Sequence, residues 1–323
     1  MENLSFFIIN TILVLLLITK SDIIGKKLDL LDYPSEYKLH TVPIPFIGGI
    51  IIYLILLIQS CLFFFNKIDL GIYKYLYISA FFILGLIDDK FNLNSYYKIF
   101  FVFLISLILI NFDESFLIHK IFFEISNQEF YFGEFKVPIT ILCILLLYIA
   151  MNMSDGINCL LISFSVISLL LINLVFLKSN LDYISMSILS SLLVMIYFNY
   201  KNKIFLGNAG ANLLAAYFIY TLISGNYYNS IDVFMVISVF LIMGIDMVRL
   251  IFLRLLNKKN PFDRDLNHFH HILLKRFNIE LTIFIYLTLS FMPVILSSIT
   301  KITAVIYIPL PIIIYIILIY RFK

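Results

Sequence analysis

The sequence predicts an all-α polytopic membrane protein, on three observations. Hydrophobic residues make up 62% of its 323 residues and charged residues only 13%. Mean hydropathy is +1.02. Apolar stretches near the length of a membrane span recur along the whole chain. A water-soluble domain carries roughly a quarter charged residues, because its surface must be largely polar. This composition leaves the bilayer as the solvent. Backbone groups in lipid must be satisfied internally, and the apolar runs show no barrel-like alternation, so the spans are predicted to be helices.

A span needs about 20 mostly apolar residues to cross roughly 30 Å of hydrocarbon. On that basis the candidates are 4–20, 46–65, 71–87, 97–112, 137–152, 159–177, 182–199, 210–224, 231–255, 281–299 and 302–320. Ten to eleven transmembrane helices are therefore expected, within a single integral-membrane domain over 1–323. The first stretch lacks a cationic start and a small-residue cleavage site, so it reads as a retained span. Between 117 and 137 two β-prone runs flank Ser126-Asn127-Gln128, which predicts a small hairpin.

Orientation follows from the basic residues. With the N-terminus outside, Lys and Arg concentrate on the inside segments, leaving Lys67, Lys74, Lys120, Lys136, Lys178 and Lys301 outside. This places the C-terminus in the cytoplasm and the hairpin on the periplasmic side. The net charge of +3 is small and says nothing of nucleic acid; with no long basic run, no nucleic-acid partner is expected. Cys61, Cys143 and Cys159 lie in apolar surroundings without a CxxC pair, and they read as small core residues.

The polar residues worth attention fall in the inside loops. In "YKLHTVPIPFIGG", Lys38 and His40 precede a Pro- and Gly-rich bend; a basic interfacial loop is the plain alternative. Asp88 and Asp89 sit at the inner end of the third span, where the helix dipole opposes both and neither caps that helix's N-terminus. Asn152, Asp155 and Asn158 share the short "NMSDGIN" loop; Asp155 either caps the next helix or faces a nucleotide or metal. Gly207, Asn208 and Gly210 open the eighth span. Small residues there either receive a phosphate at a helix N-terminus or allow close helix packing.

The largest inside loop holds Asp263, Arg264 and Asp265, then His268, His270 and His271, then Lys275 and Arg276. His268 and His271 are spaced to share a helical face. With no Cys or third spaced ligand beside them, a cationic phosphate-binding loop fits better than a zinc site. Upstream, Asp246 and Arg249 are three residues apart inside the ninth span. They either neutralise each other or face the same site. Carboxylates, amides, glycines and cations on one membrane face suit a phosphorylated substrate with a divalent metal.

In order, "KLHTVPIPFIGG", "GLIDDK", "NMSDGIN", "FLGNAG", "DMVR" and "HFHH" resemble the motifs of the polyprenyl-phosphate N-acetylhexosamine-1-phosphate transferases of glycosyltransferase family 4. The resemblance runs from His40 to His271. It implies an enzyme in which undecaprenyl phosphate attacks the β-phosphorus of a UDP-N-acetylhexosamine and releases UMP. Such an enzyme starts cell-surface glycan synthesis of the O-antigen, common-antigen or teichoic-acid type. Its cofactor would be magnesium, with manganese as the substitute, and its active site would face the cytoplasm from the inner membrane.

By the same resemblance, Asp88 and Asp89 orient or deprotonate the acceptor phosphate, and Asp155 joins them in the catalytic group. Asn152 and Asn208 hold the metal. Lys38, His40, Asn158, Asp246, Arg249, Arg264, His268, His270 and His271 serve the substrates. "HFHH" is similar to the N-acetylglucosamine-1-phosphate branch rather than the phospho-muramoyl-pentapeptide branch. Three positions depart from the pattern. Asn208 replaces an Asp, Cys159 replaces a Gly, and Ile149 replaces an Asn. The first keeps oxygen ligation but predicts weaker magnesium binding, or a protein that binds polyprenyl phosphate or UDP-sugar without turnover. The sugar and the oligomeric state, a homodimer included, stay open.

Overall fold

A computed structural model describes residues 2–34, 41–65, 71–229, 231–262 and 265–322. Lys38, His40 and Arg264 lie outside them. The chain is mostly helical. Helices α1 (Glu2–Thr19), α2 (Ser21–Leu28), α3 (Gly48–Phe65), α4 (Ile72–Phe91) and α5 (Ser95–Phe112) come first. Then follow α6 (Lys136–Ser154), α7 (Leu160–Leu171), α8 (Tyr183–Tyr200) and α9 (Gly207–Asn229). The last are α10 (Val233–Leu256), α11 (Phe269–Leu274), α12 (Ile279–Thr300) and α13 (Pro309–Phe322). Two antiparallel strand pairs accompany them: β1 (Leu31–Asp32) with β2 (Ile44–Pro45), and β3 (Lys120–Phe123) with β4 (Gln128–Tyr131).

Each apolar stretch read from the sequence coincides with a helix, but the number of spans does not reach eleven by length and apolarity. Among the described residues six helical stretches qualify: Ser95–Phe112, Gly133–Ser154, Tyr183–Tyr200, Val233–Leu256, Ile279–Thr300 and Ala304–Phe322. A seventh is the pair α1–α2, bent by 60°. The others fall short for physical reasons. Helix α4 carries Lys74, Asp88, Asp89 and Lys90, and α9 carries Asn208, Asn212 and Asn226. Helix α7 gives way to a π-turn at Ile172–Phe176. The chain is a multi-pass membrane protein.

The helices cluster in two compact units. The first comprises Met1–Asp113 and Leu161–Thr221. Its core is built on α9, in which Ala209 to Thr221 are buried without interruption. Helix starts are capped locally, as where Asn94 accepts from Tyr96 N at 3.1 Å and Asp182 from Ser185 N at 2.7 Å. Lys74, buried near the start of α4, pairs with Asp182 at 2.8 Å and lies over the Tyr217 ring. Asn10, Gln59 and Ser187 hydrogen-bond across α1, α3 and α8, the kind of polar contact that joins helices where lipid supplies no hydrophobic drive.

The second unit comprises Glu114–Leu160 and Leu222–Lys323. Helix α10 packs between α6 and α12, and the β3–β4 hairpin closes on Ser126-Asn127-Gln128 as the sequence predicts. Asp232 caps α10 through Met235 N and accepts from Glu124 N at 3.0 Å, tying the hairpin to that helix.

Candidate active site

In the first unit, the ends of three helices meet. The segment "PIPFIGG" runs extended beside the approach to α9: Phe205 N donates to Pro45 O, Gly48 N to Phe205 O and Gly49 N to Leu206 O, all at 2.8–2.9 Å. A Cβ added at Gly49 would stand 2.1 Å from Gly210 N. The two backbones therefore touch, which only glycine allows. Of the two readings of "FLGNAG", close packing is what the structure displays.

The N-terminus of α9 is already occupied by a carboxylate from another helix. Asp89 Oδ1 accepts from Asn208 N at 2.8 Å and Oδ2 from Ala209 N at 2.9 Å. This is an N-cap supplied across the fold, favoured by the positive end of the helix dipole. The acid that opposes the dipole of its own helix thus satisfies that of the next. Burial pushes the Asp89 carboxyl up to about 6, against the hydrogen bonds from Ala209 and Asn208 that pull it down.

Asp88 points elsewhere. It is 1% exposed, and its Oδ2 pairs with Lys98 Nζ at 2.9 Å. The short link between α4 and α5 makes this pair: Asn92 turns left-handed at φ 50° and Asn94 caps α5. Asp88 Oδ1 has no hydrogen-bond partner among the described residues. Lys98 is a site residue that sequence reasoning missed; its one signal was its place among the inside basic residues.

In the second unit, Asp246 is the hub. Its Oδ1 accepts from Arg249 Nη2 at 2.7 Å and from Tyr315 Oη at 2.8 Å. Its Oδ2 accepts from Phe269 N at 3.1 Å and lies 3.3 Å from His268 Nδ1. Arg249 Nη2 also donates to Asn267 O at 2.6 Å. Asp246 and Arg249 therefore do both things the sequence left open: they neutralise each other and they face the histidine loop. Arg254, buried one turn further along, donates to Asp265 Oδ2 at 2.9 Å and to Pro261 O at 2.7 Å. Tyr315 and Arg254 are further residues that the sequence did not single out.

The three histidines come together, but not as one helical face. His268 is extended and precedes α11, because Asp246 holds both its ring and the next backbone N–H. Its ring stacks on His270 with centroids 5.3 Å apart, and the His270 and His271 centroids are 4.4 Å apart. His270 is 1% exposed, and neither ring nitrogen has a partner among the described residues. Burial and the neighbouring histidines hold His270 well below the usual range; burial and His268 bring His271 down to about 4. Both are neutral at pH 7. The expected cationic loop thus draws its fixed charge from arginine and lysine.

The "NMSDGIN" loop belongs to the same unit. Asp155 is exposed at the C-cap of α6, and α7 begins at Leu160. A Cβ on Gly156 would stand 2.1 Å from His270 Nε2, so this loop lies directly on the histidine ring. Asn152 and Asn158 are half-buried on either side.

The oxygen donors of the first unit suit a hard divalent cation. Asp88 offers a buried, unpartnered oxygen, Asp89 a carboxylate and Asn208 an amide. Magnesium is typically held by one or two carboxylates together with substrate phosphates rather than by an all-protein cage.

Residues 72–226 match the glycosyl transferase family 4 model. The chain is 29% identical over 284 residues to a probable undecaprenyl-phosphate N-acetylglucosaminyl 1-phosphate transferase of Bacillus subtilis, covering 83% of this chain and 76% of that protein. It is 25% identical over 281 residues to the undecaprenyl-phosphate alpha-N-acetylglucosaminyl 1-phosphate transferase of Escherichia coli K12, covering 83% and 75%. The Thermotoga maritima protein of the same name is 28% identical over 276 residues, covering 84% and 81%.

Proposed function

We propose that the chain is a member of glycosyl transferase family 4, whose model its residues 72–226 match, and that it transfers N-acetylglucosamine-1-phosphate from the UDP-sugar to undecaprenyl phosphate at the cytoplasmic face of the inner membrane. The observation that carries the reading is the similarity, over most of the chain, to relatives bearing that name. An acceptor phosphate oxygen attacks the β-phosphorus. The bond from that phosphorus to the bridging oxygen breaks, and UMP takes the electron pair.

The chemical difficulty is the meeting of two anions, so catalysis rests on positioning and charge compensation. In this reading Asp89, with a carboxyl raised to about 6, accepts or directs the acceptor's proton. Lys98 pairs with the neighbouring Asp88 at 2.9 Å. Arg249 and Arg254 give the histidine loop its charge, and His268, together with neutral His270 and His271, supplies ring nitrogens to the sugar diphosphate. Lys38, His40, Asn158 and Arg264 complete the substrate-binding set, and Asp155 lies beside the nucleotide. Within the first unit, Asn208 and Asp88 would hold magnesium or manganese, which would neutralise phosphate charge when bound; Asn152 is a metal-ligand candidate by the resemblance alone.

Transfer is measured with purified protein, undecaprenyl phosphate, magnesium and radiolabelled UDP-N-acetylhexosamines. Label entering the lipid fraction, and chased back by excess UMP, supports the reading and identifies the sugar. If wild type and Asn208→Asp both leave the lipid unlabelled across the panel, the assignment fails. If only Asn208→Asp is active, the natural chain is a binding protein descended from the enzyme.

A further inference from the structure

Helix α13 sits apart in sequence from every motif discussed above, yet one of its side chains reaches the hub of the second unit. Tyr315 is 2% exposed within an otherwise largely exposed apolar helix. Its hydroxyl donates to Asp246 Oδ1 at 2.8 Å and accepts from Arg249 Nε at 2.7 Å. Its ring meets that of Phe269 edge-on, with centroids 4.8 Å apart. A single phenol thus joins the carboxylate, the guanidinium and the first residue of α11.

We propose that Tyr315 is a positioning residue for the histidine loop, acting through Asp246 and Arg249. Three tethers hold the loop to α10. Asp246 takes the Phe269 N–H, it faces His268 Nδ1, and Arg249 grips the Asn267 carbonyl. Each depends on the orientation of a side chain that Tyr315 fixes. A carboxylate has two oxygens, and here one is committed to Arg249 and Tyr315 while the other serves the loop. Removing the hydroxyl leaves Asp246 free to rotate toward Arg249 alone, at the expense of Phe269 and His268. A hydrogen bond to a charged group inside a low-dielectric site is worth more than one at the surface, so one hydroxyl suffices to order the loop.

The inference rests on the proposed reaction insofar as the loop is taken to bind the sugar diphosphate. The variant is Tyr315→Phe, which keeps the ring against Phe269 and removes only the oxygen. Full-length protein in detergent is followed by amide exchange across 265–275 and by transfer kinetics in both substrates. Faster exchange in that segment is expected. The KM for UDP-N-acetylglucosamine should rise about three- to tenfold, with kcat and the KM for undecaprenyl phosphate little changed. Arg249→Lys, which keeps the charge but loses the fork, should act in the same direction; it decides the matter if Tyr315→Phe does not fold.

Unchanged exchange overturns the proposal. So does faster exchange with both KM values unaltered, which makes the contact structural only. A uniform fall in Tm with both KM values rising together has the same meaning. An inactive wild type is a different failure: it removes the reaction assignment, and the positioning role with it.

Discussion

Asp89 and Asn208 are separated by more than a hundred residues, yet the Asp89 carboxylate accepts the Asn208 backbone N–H at 2.8 Å and so caps the helix that Asn208 opens. One oxygen serves Asn208 and the other Ala209. The same group is the candidate proton acceptor. Structure and chemistry can be separated by substitution. In Asp89→Asn the amide oxygen can satisfy one N–H, while its NH2 faces the other donor. An unsatisfied buried donor costs about 1–3 kcal/mol, so Tm should fall by several degrees. Transfer per folded molecule should fall by about 100-fold or more, the range for loss of a general base. If activity declines only in step with the folded fraction, Asp89 is a cap and not a catalyst.

Gly156 and His270 make a second pair whose contact leaves no room for a side chain. A methyl at position 156 would overlap His270 Nε2, and the imidazole is buried with little space to turn. Gly156→Ala should therefore cost about 1–3 kcal/mol, as overpacking does, and should reduce transfer. His270→Ala alone should also damage the loop. In the double variant the methyl has the space of the missing ring, so the two stability costs should be less than additive. A double-mutant cycle in Tm reads this directly; strict additivity would show that the two residues do not meet.

How much of this was visible in the sequence depends on the range of the interaction. Apolar runs, the hairpin around Asn127 and the polar residues at span ends are local patterns, and each was legible. Length and apolarity do not return eleven spans, because α4 carries four charged residues, Lys74 and Asp88 among them on its buried face, and α9 carries Asn208, Asn212 and Asn226. Residues that work through distant partners were silent. Tyr315 is one of 21 tyrosines, in an apolar run that marks it as nothing more than membrane-facing. Asp89 was recognisable as misplaced on its own helix, but a cap supplied from another helix has no local signature.

The histidine loop should weaken in acid. His271 titrates near 4 in the fold, and His270 lies well below its usual range, against roughly 6.5 in an unfolded chain. Between those values the unfolded state binds more protons than the folded one, so stability rises with pH across that interval. The histidines' contribution is therefore fully present above about 6.5 and declines as pH falls toward 4. Asp265 and Asp246 oppose the loss, and His268 and Lys275 add to it. Thermal unfolding from pH 7.5 downward should show Tm falling through this window. A doubly substituted His270→Ala, His271→Asn protein should show a flatter profile. Parallel profiles for the two proteins would place the acid sensitivity elsewhere.

Restoring an acid at position 208 tests the metal assignment. Asn208 meets the Asp89 carboxylate through its backbone N–H and its side-chain amide. In Asn208→Asp the side-chain donor is gone and a second carboxylate stands beside Asp89, with buried Asp88 next to it in the chain. Without a divalent cation the like charges repel, and Tm should fall. With magnesium, the cation gains a charged oxygen ligand in place of a neutral one. Two effects should follow: a larger rise in Tm on adding magnesium than in wild type, and half-maximal transfer at a magnesium concentration lower by about an order of magnitude, equivalent to about 1.4 kcal/mol. The comparison needs chelator-treated protein and a magnesium titration of both forms. Equal magnesium dependence in the two forms would remove Asn208 from the cation site, whatever the overall rate of transfer.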